Sequence, residues 1–289
     1  MANGNLKLAV QKKGRLSEKT MEMLKACGLE VDNYGERLLV PSRNYDIDIL
    51  FLRDDDIPEY VKDGVADIGI VGENVMVEKQ AAVSIVKRLG FSKCRLLIAV
   101  PENKELSNLN EINAKTIATS YPNILKSFLK ENSLNAKIIE ISGSVEIAPS
   151  LGVADMICDI VSTGNTLKMN KLKKSFPVFE SEAVLIQSSA VEMDAHKKEL
   201  LDNLLIRIDS VLTAKKSKYL MMNVPKNQLE KVIEILPSIK SPTVLPLADE
   251  NLVAVHAVIP SETFWQINNK LKYAGASGIL LLQIDNMIV

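Results

Sequence analysis

The apolar positions along this chain change period repeatedly, and each change marks an element. "LKLAV" at 6–10 is a short apolar run that predicts a strand, followed by the loop "QKKGRL" at 11–16. Helical spacing then starts from Ser17, predicted as an N-cap. It carries Met21, Leu24 and Cys27 on one face and ends at Gly28. "RLLVPS" and "YDIDILFLR" predict adjacent strands, the second alternating Ile47, Ile49 and Phe51 against polar neighbours. "DDDIPEYVKDG" has the acidic first turn and terminal glycine of a short helix, and "ADIGIVG" is a buried strand ending in glycine.

From about residue 95 a second unit begins. It runs "CRLLIAVP", "KTIATSYP", a helix "NILKSFLKENS", a strand "AKIIEIS", a further helix and the strand "ADMICDIVS". Strands alternating with helices in this way imply parallel sheets with crossover connections. "FPVFESEAVLIQSS" predicts strands returning toward the first unit. A long helix follows with Leu201, Leu204, Leu205, Ile208, Val211 and Leu212 on its apolar stripe. After Ser217 the rhythm becomes β-α-β-β-α-β, the ferredoxin-like order, in which Phe264 and Trp265 read as helical core positions.

Composition narrows the function classes. The chain has 289 residues, 47% hydrophobic and 25% charged, which fits an ordinary globular protein of two or three domains. A formal charge of -1 argues against broad binding to nucleic acid or anionic membranes. Cys27, Cys94 and Cys158 are widely spaced, which argues against a disulfide framework or zinc site. His196 and His256 are the only histidines, too few and too far apart in sequence for a His-rich metal site or a Ser-His-Asp triad. No secretion signal or membrane-length apolar run is read, so a cytoplasmic location is expected.

The densest chemistry lies in "ADMICDIVSTGNTL". A buried strand ends near Asp159, and a turn with Ser162, Thr163, Gly164 and Thr166 follows. Backbone N–H groups at such a turn form a concavity suited to phosphate, to which the hydroxyls add donors. The same residues also suit plain helix capping. Asp159 can accept from ribose hydroxyls or bind Mg²⁺ held by a diphosphate. The loop lacks the lysine of a nucleotide P-loop, so its cations come from elsewhere: Lys12, Lys13 and Arg15 around Gly14, and Arg53 at the end of a strand. Asp54–Asp56 reads as a dipole-favoured helix start.

"GSVEIAPSLGVADMICDIVSTGNTL" (143–167) resembles the phosphoribosyl-diphosphate loop of ATP phosphoribosyltransferases, the first enzymes of histidine biosynthesis. "QKKGRL", "LRDDDIPEYVKDGVADIGIVGENV", "CRLLIAV", "IATSYP", "SKYLMMN" and "SPTVLPLA" resemble that family in the same order, across essentially the whole chain. The C-terminal unit makes it resemble the long form. The resemblance implies condensation of ATP with phosphoribosyl diphosphate to phosphoribosyl-ATP and diphosphate, with Mg²⁺. It implies catalytic roles for Lys12, Arg15 and Arg53. Phosphoribosyl-diphosphate contacts are implied at Glu146, Asp159, Ser162, Thr163, Gly164, Asn165, Thr166 and Leu167. Those to ATP are implied at Gln11, Lys12, Gly14, Arg15, Leu16, Arg53, Gly72, Glu73, Thr119 and Tyr121, with Asp159 the metal candidate. For Tyr121, stacking on adenine and ordinary core packing both stand.

The resemblance further implies feedback inhibition by histidine at Asn223, Thr243, Leu245, Gly275, Ser277 and Gly278, AMP as a second inhibitor, and a homo-oligomer from dimer to hexamer. The expected architecture is α/β: a two-lobed body like that of periplasmic binding proteins plus a C-terminal ferredoxin-like domain. The expected boundaries are 1–94 with 180–216 for lobe I, 95–179 for lobe II and 217–289 for the regulatory domain. A non-catalytic solute-binding protein of the same two-lobed build is the alternative, which would carry a secretion signal. A ligand-sensing regulator would need a basic DNA-binding helix pair, and none is read.

Overall fold

The computed structural model describes residues 4–32, 35–161 and 164–289. They divide into two compact units, one of residues 1–22 and 30–198, the other of residues 23–29 and 199–289. The first unit contains two sheets built on one plan. In the first sheet, β1 (Leu6–Gln11) lies between β3 (Ile47–Leu52) and β4 (Ile68–Gly72), parallel to both. β2 (Leu39–Pro41) pairs antiparallel on the outer side of β3. The helices α1 (Arg15–Ala26) and α2 (Ile57–Lys62) lie in the two crossovers, and α3 (Glu73–Lys79) follows β4. β5 (Val83–Arg88) forms the far edge.

In the second sheet, β7 (Thr116–Thr119) lies between β8 (Lys137–Glu140) and β9 (Met156–Val161), again parallel. The helix α4 (Pro122–Glu131) connects β7 to β8, and α5 (Asn165–Met169) follows β9. β6 (Cys94–Pro101) and β10 (Leu172–Ser181) complete it in the order β10-β6-β9-β7-β8. β11 (Ala183–Ser188) belongs to the first sheet, inserted antiparallel between β4 and β5. The chain therefore crosses twice between the lobes, from β5 to β6 and from β10 to β11. Each lobe is a parallel trio extended by antiparallel pairing, through β2, β11 and β5 in the first sheet and through β6 and β10 in the second, which meets the expectation of a two-lobed α/β body.

Alternation explains the burial. Ile47, Ile49 and Phe51 are fully buried on one face of β3, each contributing roughly 1.5–3 kcal/mol by leaving water. Ser17 is not the N-cap of α1. The helix begins two residues earlier, and Ser17 is buried in its first turn. Gly14 provides the entry instead, at φ +107°, with its carbonyl accepting from Glu18 N–H. Neither β5 nor α3 was expected, because "VSIVKR" and "ENVMVEK" mix charge with apolar residues on no clear period.

In the second unit, α6 (Ala195–Lys215) buries Leu201, Leu204, Ile208 and Val211 of the expected stripe, with Leu205 and Leu212 half-buried beside them. The sheet order β13-β14-β12-β15 comes from β12 (Ser217–Pro225), β13 (Thr243–Pro246), β14 (Leu252–Pro260) and β15 (Ser277–Gln283). α7 (Leu229–Ile235) and α8 (Phe264–Tyr273) complete the ferredoxin-like order. Their Val232, Phe264 and Leu271 join Leu220, Met222, Val224 and Val255 in one core. Trp265 is 76% exposed, against the expectation of core. Consecutive helical residues point about 100° apart, and that step turns Trp265 out of the face on which Phe264 is buried. Among the described residues no helix is long and apolar enough to cross a membrane.

Candidate functional site

Open parallel sheets bind ligands beyond the carboxyl ends of their strands, and both trios carry the expected residues there. In lobe I, β1 leads into Gln11, Lys12, Gly14, Arg15 and Leu16, β3 into Arg53, and β4 ends at Gly72 before Glu73. In lobe II, β7 leads into Tyr121, β8 into the loop bearing Glu146, and β9 carries Asp159 toward the 162–167 loop. Ser162 and Thr163 lie outside the described residues.

The two edges meet at Tyr121. Its ring packs on the lobe II core, and its hydroxyl receives a hydrogen bond from Asn74 Nδ2 of lobe I at 3.4 Å. Asn74 is buried and tied to the second crossover. Its N–H donates to Ser181 Oγ at 3.0 Å, and that hydroxyl donates to Asn74 Oδ1 at 2.8 Å. Burial pushes the Tyr121 phenol above its usual range, and the nearby carboxylates of Asp159 and Asp54 push the same way. One phenol thus senses a carboxylate from each lobe. Asp159 is itself raised, chiefly by burial and further by Glu146, although its Oδ1 accepts from Ile160 N–H at 2.7 Å.

The cations are partly engaged. Lys12 Nζ lies 3.0 Å from Glu36 Oε2, and this contact holds the Glu36 carboxyl below its ordinary range. Lys13 and Arg15 are exposed. The Glu73 carboxylate takes both arms of Arg88, whose guanidinium also lies 3.6 Å from Glu182. Glu73 therefore meets a ligand only by exchanging that partner. A cleft of about 620 Å³ runs along the crossover strands, lined among others by Glu73, Arg88, Cys94, Leu97, Val161 and Lys174.

Gly164 is buried at φ +86°. A Cβ there would stand 2.7 Å from Lys174 Cε and 3.0 Å from its Nζ. The lysine absent from the loop's own sequence is thus contributed by β10, ten positions further on. Asn165 and Thr166 are exposed at the start of α5. Two of the expected contact residues have buried side chains. Thr119 has no exposed surface; its hydroxyl accepts from Tyr121 N–H at 2.9 Å and bonds the Cys158 thiol. The side chain of Leu167 is buried in the lobe II core. Thr119 ends a strand buried on both faces, and Leu167 lies on the inward side of the helix α5.

In the second unit, register aligns Leu245, Ala254, Asn223 and Ser277 in one row across β13, β14, β12 and β15. Leu220, Met222 and Val224 face the helices, so Asn223 faces the opposite, open side of β12. Gly278 lies beside it: a Cβ there would stand 3.4 Å from Asn223 Nδ2. Thr243 pairs with His256 one row away, whereas Gly275 packs against Pro225.

Sequence reasoning passed over Asn74, Ser181, Arg88, Lys174 and Glu36. Only Asn74 carried a signal, as an amide two positions after a strand-ending glycine. The others come from distant segments. Among the described residues no three His, Cys, Asp or Glu side chains gather to hold a metal.

Comparison with known proteins agrees with this geometry. The family model described as ATP phosphoribosyltransferase matches residues 53–210, and the model described as HisG, C-terminal domain, matches residues 214–286. The chain is 52% identical over 283 residues to the ATP phosphoribosyltransferase of Cytophaga hutchinsonii, covering 98% of each chain. It is 51% identical to that of Bacteroides fragilis, covering 98% of this chain and all of that one. A solved structure, the ATP phosphoribosyl transferase (HisG:HisZ) complex from Thermotoga maritima, superposes with a TM-score of 0.59 at 32% identity, over 71% of this chain and 98% of that one. The chain belongs to the ATP phosphoribosyltransferase family, in the form that carries the additional C-terminal domain.

Proposed function

We propose that the cleft between the two trios aligns ATP with phosphoribosyl diphosphate, so that adenine N1 attacks the ribose C1 as its bond to the diphosphate breaks. The single observation that carries this reading is the hydrogen bond from Asn74 of lobe I to the Tyr121 hydroxyl of lobe II, with the Asp159 carboxylate close enough to raise that phenol further. Such a reaction needs little proton transfer. It needs two polyanions held in line and a departing diphosphate stabilised. Lys12, Arg15 and Arg53 bind phosphate oxygens of ATP or of the diphosphate, Lys12 after exchanging Glu36 for them. Gln11, Gly14, Leu16, Gly72 and Glu73 shape the ATP side, and Tyr121 presents its hydroxyl there. The 162–167 loop grips the ribose 5-phosphate, with Gly164 allowing close backbone approach.

Mg²⁺ fits as a companion of the diphosphate rather than as a resident ion. Its ligands are then mostly phosphate oxygens, and Asp159, with Glu146 nearby, is the carboxylate available to it or to the ribose hydroxyls. Burial favours the protonated form of Asp159, and a cation arriving with substrate offsets that. The proposed boundaries are 1–94 and 180–216 for lobe I, 95–179 for lobe II and 217–289 for a regulatory domain. Histidine binds the open face around Asn223, Thr243, Leu245, Ser277 and Gly278, with Gly275 shaping the adjoining turn, and AMP competes at the substrate cleft. The working form is a homo-oligomer, from dimer to hexamer.

The test is a direct assay. Purified protein with ATP, phosphoribosyl diphosphate and Mg²⁺ is followed by the absorbance of phosphoribosyl-ATP, with pyrophosphatase drawing the reaction forward. Product that depends on both substrates supports the reading. No product under those conditions overturns it.

A further inference from the structure

The helix α4, which begins directly after Tyr121, lacks a cap of its own. Tyr121 is the N-cap residue and makes no side-chain cap hydrogen bond, and Pro122 at the next position has no N–H to satisfy. The first free donors of the helix are the N–H groups of Asn123 and Ile124, which an N-cap side chain ordinarily satisfies. Here they are satisfied from the other lobe. Glu78 of α3 accepts from Asn123 N–H at 2.9 and 3.1 Å, one distance to each carboxylate oxygen, and from Ile124 N–H at 3.0 Å. Asn123 Nδ2 returns a bond to the Glu78 carbonyl at 2.9 Å. One turn earlier on α3, Asn74 holds the Tyr121 hydroxyl.

We propose that Glu78 is a positioning residue for the transfer reaction, capping α4 across the cleft and thereby fixing Tyr121 against Asn74 and Asp159. A carboxylate at a helix N-terminus has the favourable sign for the dipole, and the bonds it accepts are charge-assisted. Val77, the residue before it, packs into the lobe II core and holds α3 at that place. The lobe-to-lobe geometry at the cleft is therefore set by hydrogen bonds as well as by the two crossovers. The kinetic part of this inference rests on the assignment of Tyr121 to the substrate site; the capping part does not.

The experiment compares the full chain with Glu78→Ala, Glu78→Gln and Tyr121→Phe. Amide exchange should quicken roughly tenfold at Asn123 and Ile124 in Glu78→Ala, while the β7 amides stay unchanged. Glu78→Gln, which keeps an acceptor oxygen without the charge, should restore part of that protection. In Glu78→Ala kcat should fall roughly tenfold with the Michaelis constant for phosphoribosyl diphosphate within about twofold, and the fall should shrink when Tyr121 is already Phe. Unchanged exchange at Asn123 and Ile124 overturns the cap. Faster exchange with unchanged kcat overturns the positioning role. If Tyr121→Phe alone leaves the kinetics intact, the assignment of Tyr121 fails while the cap is still decided by exchange. If Glu78→Ala does not fold, the same readings in Glu78→Gln decide it.

Discussion

Replacing Gly164 by alanine tests the phosphate loop at its most constrained point. Its φ of +86° lies where a residue with a Cβ is strained by about 1–2 kcal/mol. The new methyl would also stand 2.7 Å from Lys174 Cε and 3.0 Å from Nζ. That contact is with the far end of a flexible side chain, so it relaxes cheaply, but in relaxing it carries the ammonium away from the loop. If the loop relaxes instead of keeping its shape, the same 1–2 kcal/mol appears as weaker substrate binding. At 1.36 kcal/mol per decade this is a rise of about 5–30-fold in the Michaelis constant for phosphoribosyl diphosphate. If the loop keeps its shape, the strain appears as a Tm lower by about 2–8 °C for a domain of this size. Initial rates are measured with each substrate varied at saturating levels of the other, beside a thermal melt. Repeating them in a Lys174→Ala background separates strain from the displaced charge, since only strain remains there. A Michaelis constant within twofold of wild type together with an unshifted Tm would refute the argument. So would an equal rise for both substrates, which would place the loop at neither in particular.

Three further outcomes are expected. Asp159→Asn should raise Tm near neutral pH while removing most activity. The folded-state pKa of Asp159 is raised, so burial favours the protonated form; the stability this group contributes is present at low pH and is lost as pH rises through the folded pKa. The gain from Asn should therefore close as pH falls to about 4, the ordinary carboxylate range, and a constant difference across pH would contradict it. Gly69→Ala should lower Tm by about 2–12 °C without changing the ratio of the two Michaelis constants, because its Cβ would stand 2.7 Å from Ile57 Cγ2 and 2.9 Å from Val61 Cγ2 in a packed core. A thiol reagent at about pH 8 should label Cys94 well before Cys27 and Cys158. Cys27 is buried with its thiol pushed up to about 11, and Cys158 is buried and raised further. Mass spectrometry of the labelled peptides reads the order.

The alternation of Ile47, Ile49 and Phe51, the helical stripe of α6 and the β-α-β-β-α-β order after Ser217 were legible in the sequence because each is a local period with one face to bury. The motif positions were legible as well: Arg15, Arg53, Gly72 and Asp159 all stand at the carboxyl ends of parallel strands, where sequence order alone puts them. Which way a side chain turns there was not. Thr119 and Leu167 belong to the right segments but face inward, because the burial of an end position depends on what packs over it. The connections between segments were beyond the sequence altogether. Lys174 lies over Gly164, Asn74 joins Ser181 across 107 positions, and Glu78 caps a helix 45 positions away. Hydrogen bonds and close approaches between distant segments leave no period in either one. They exist only once the two sheets have formed and the chain has crossed between them.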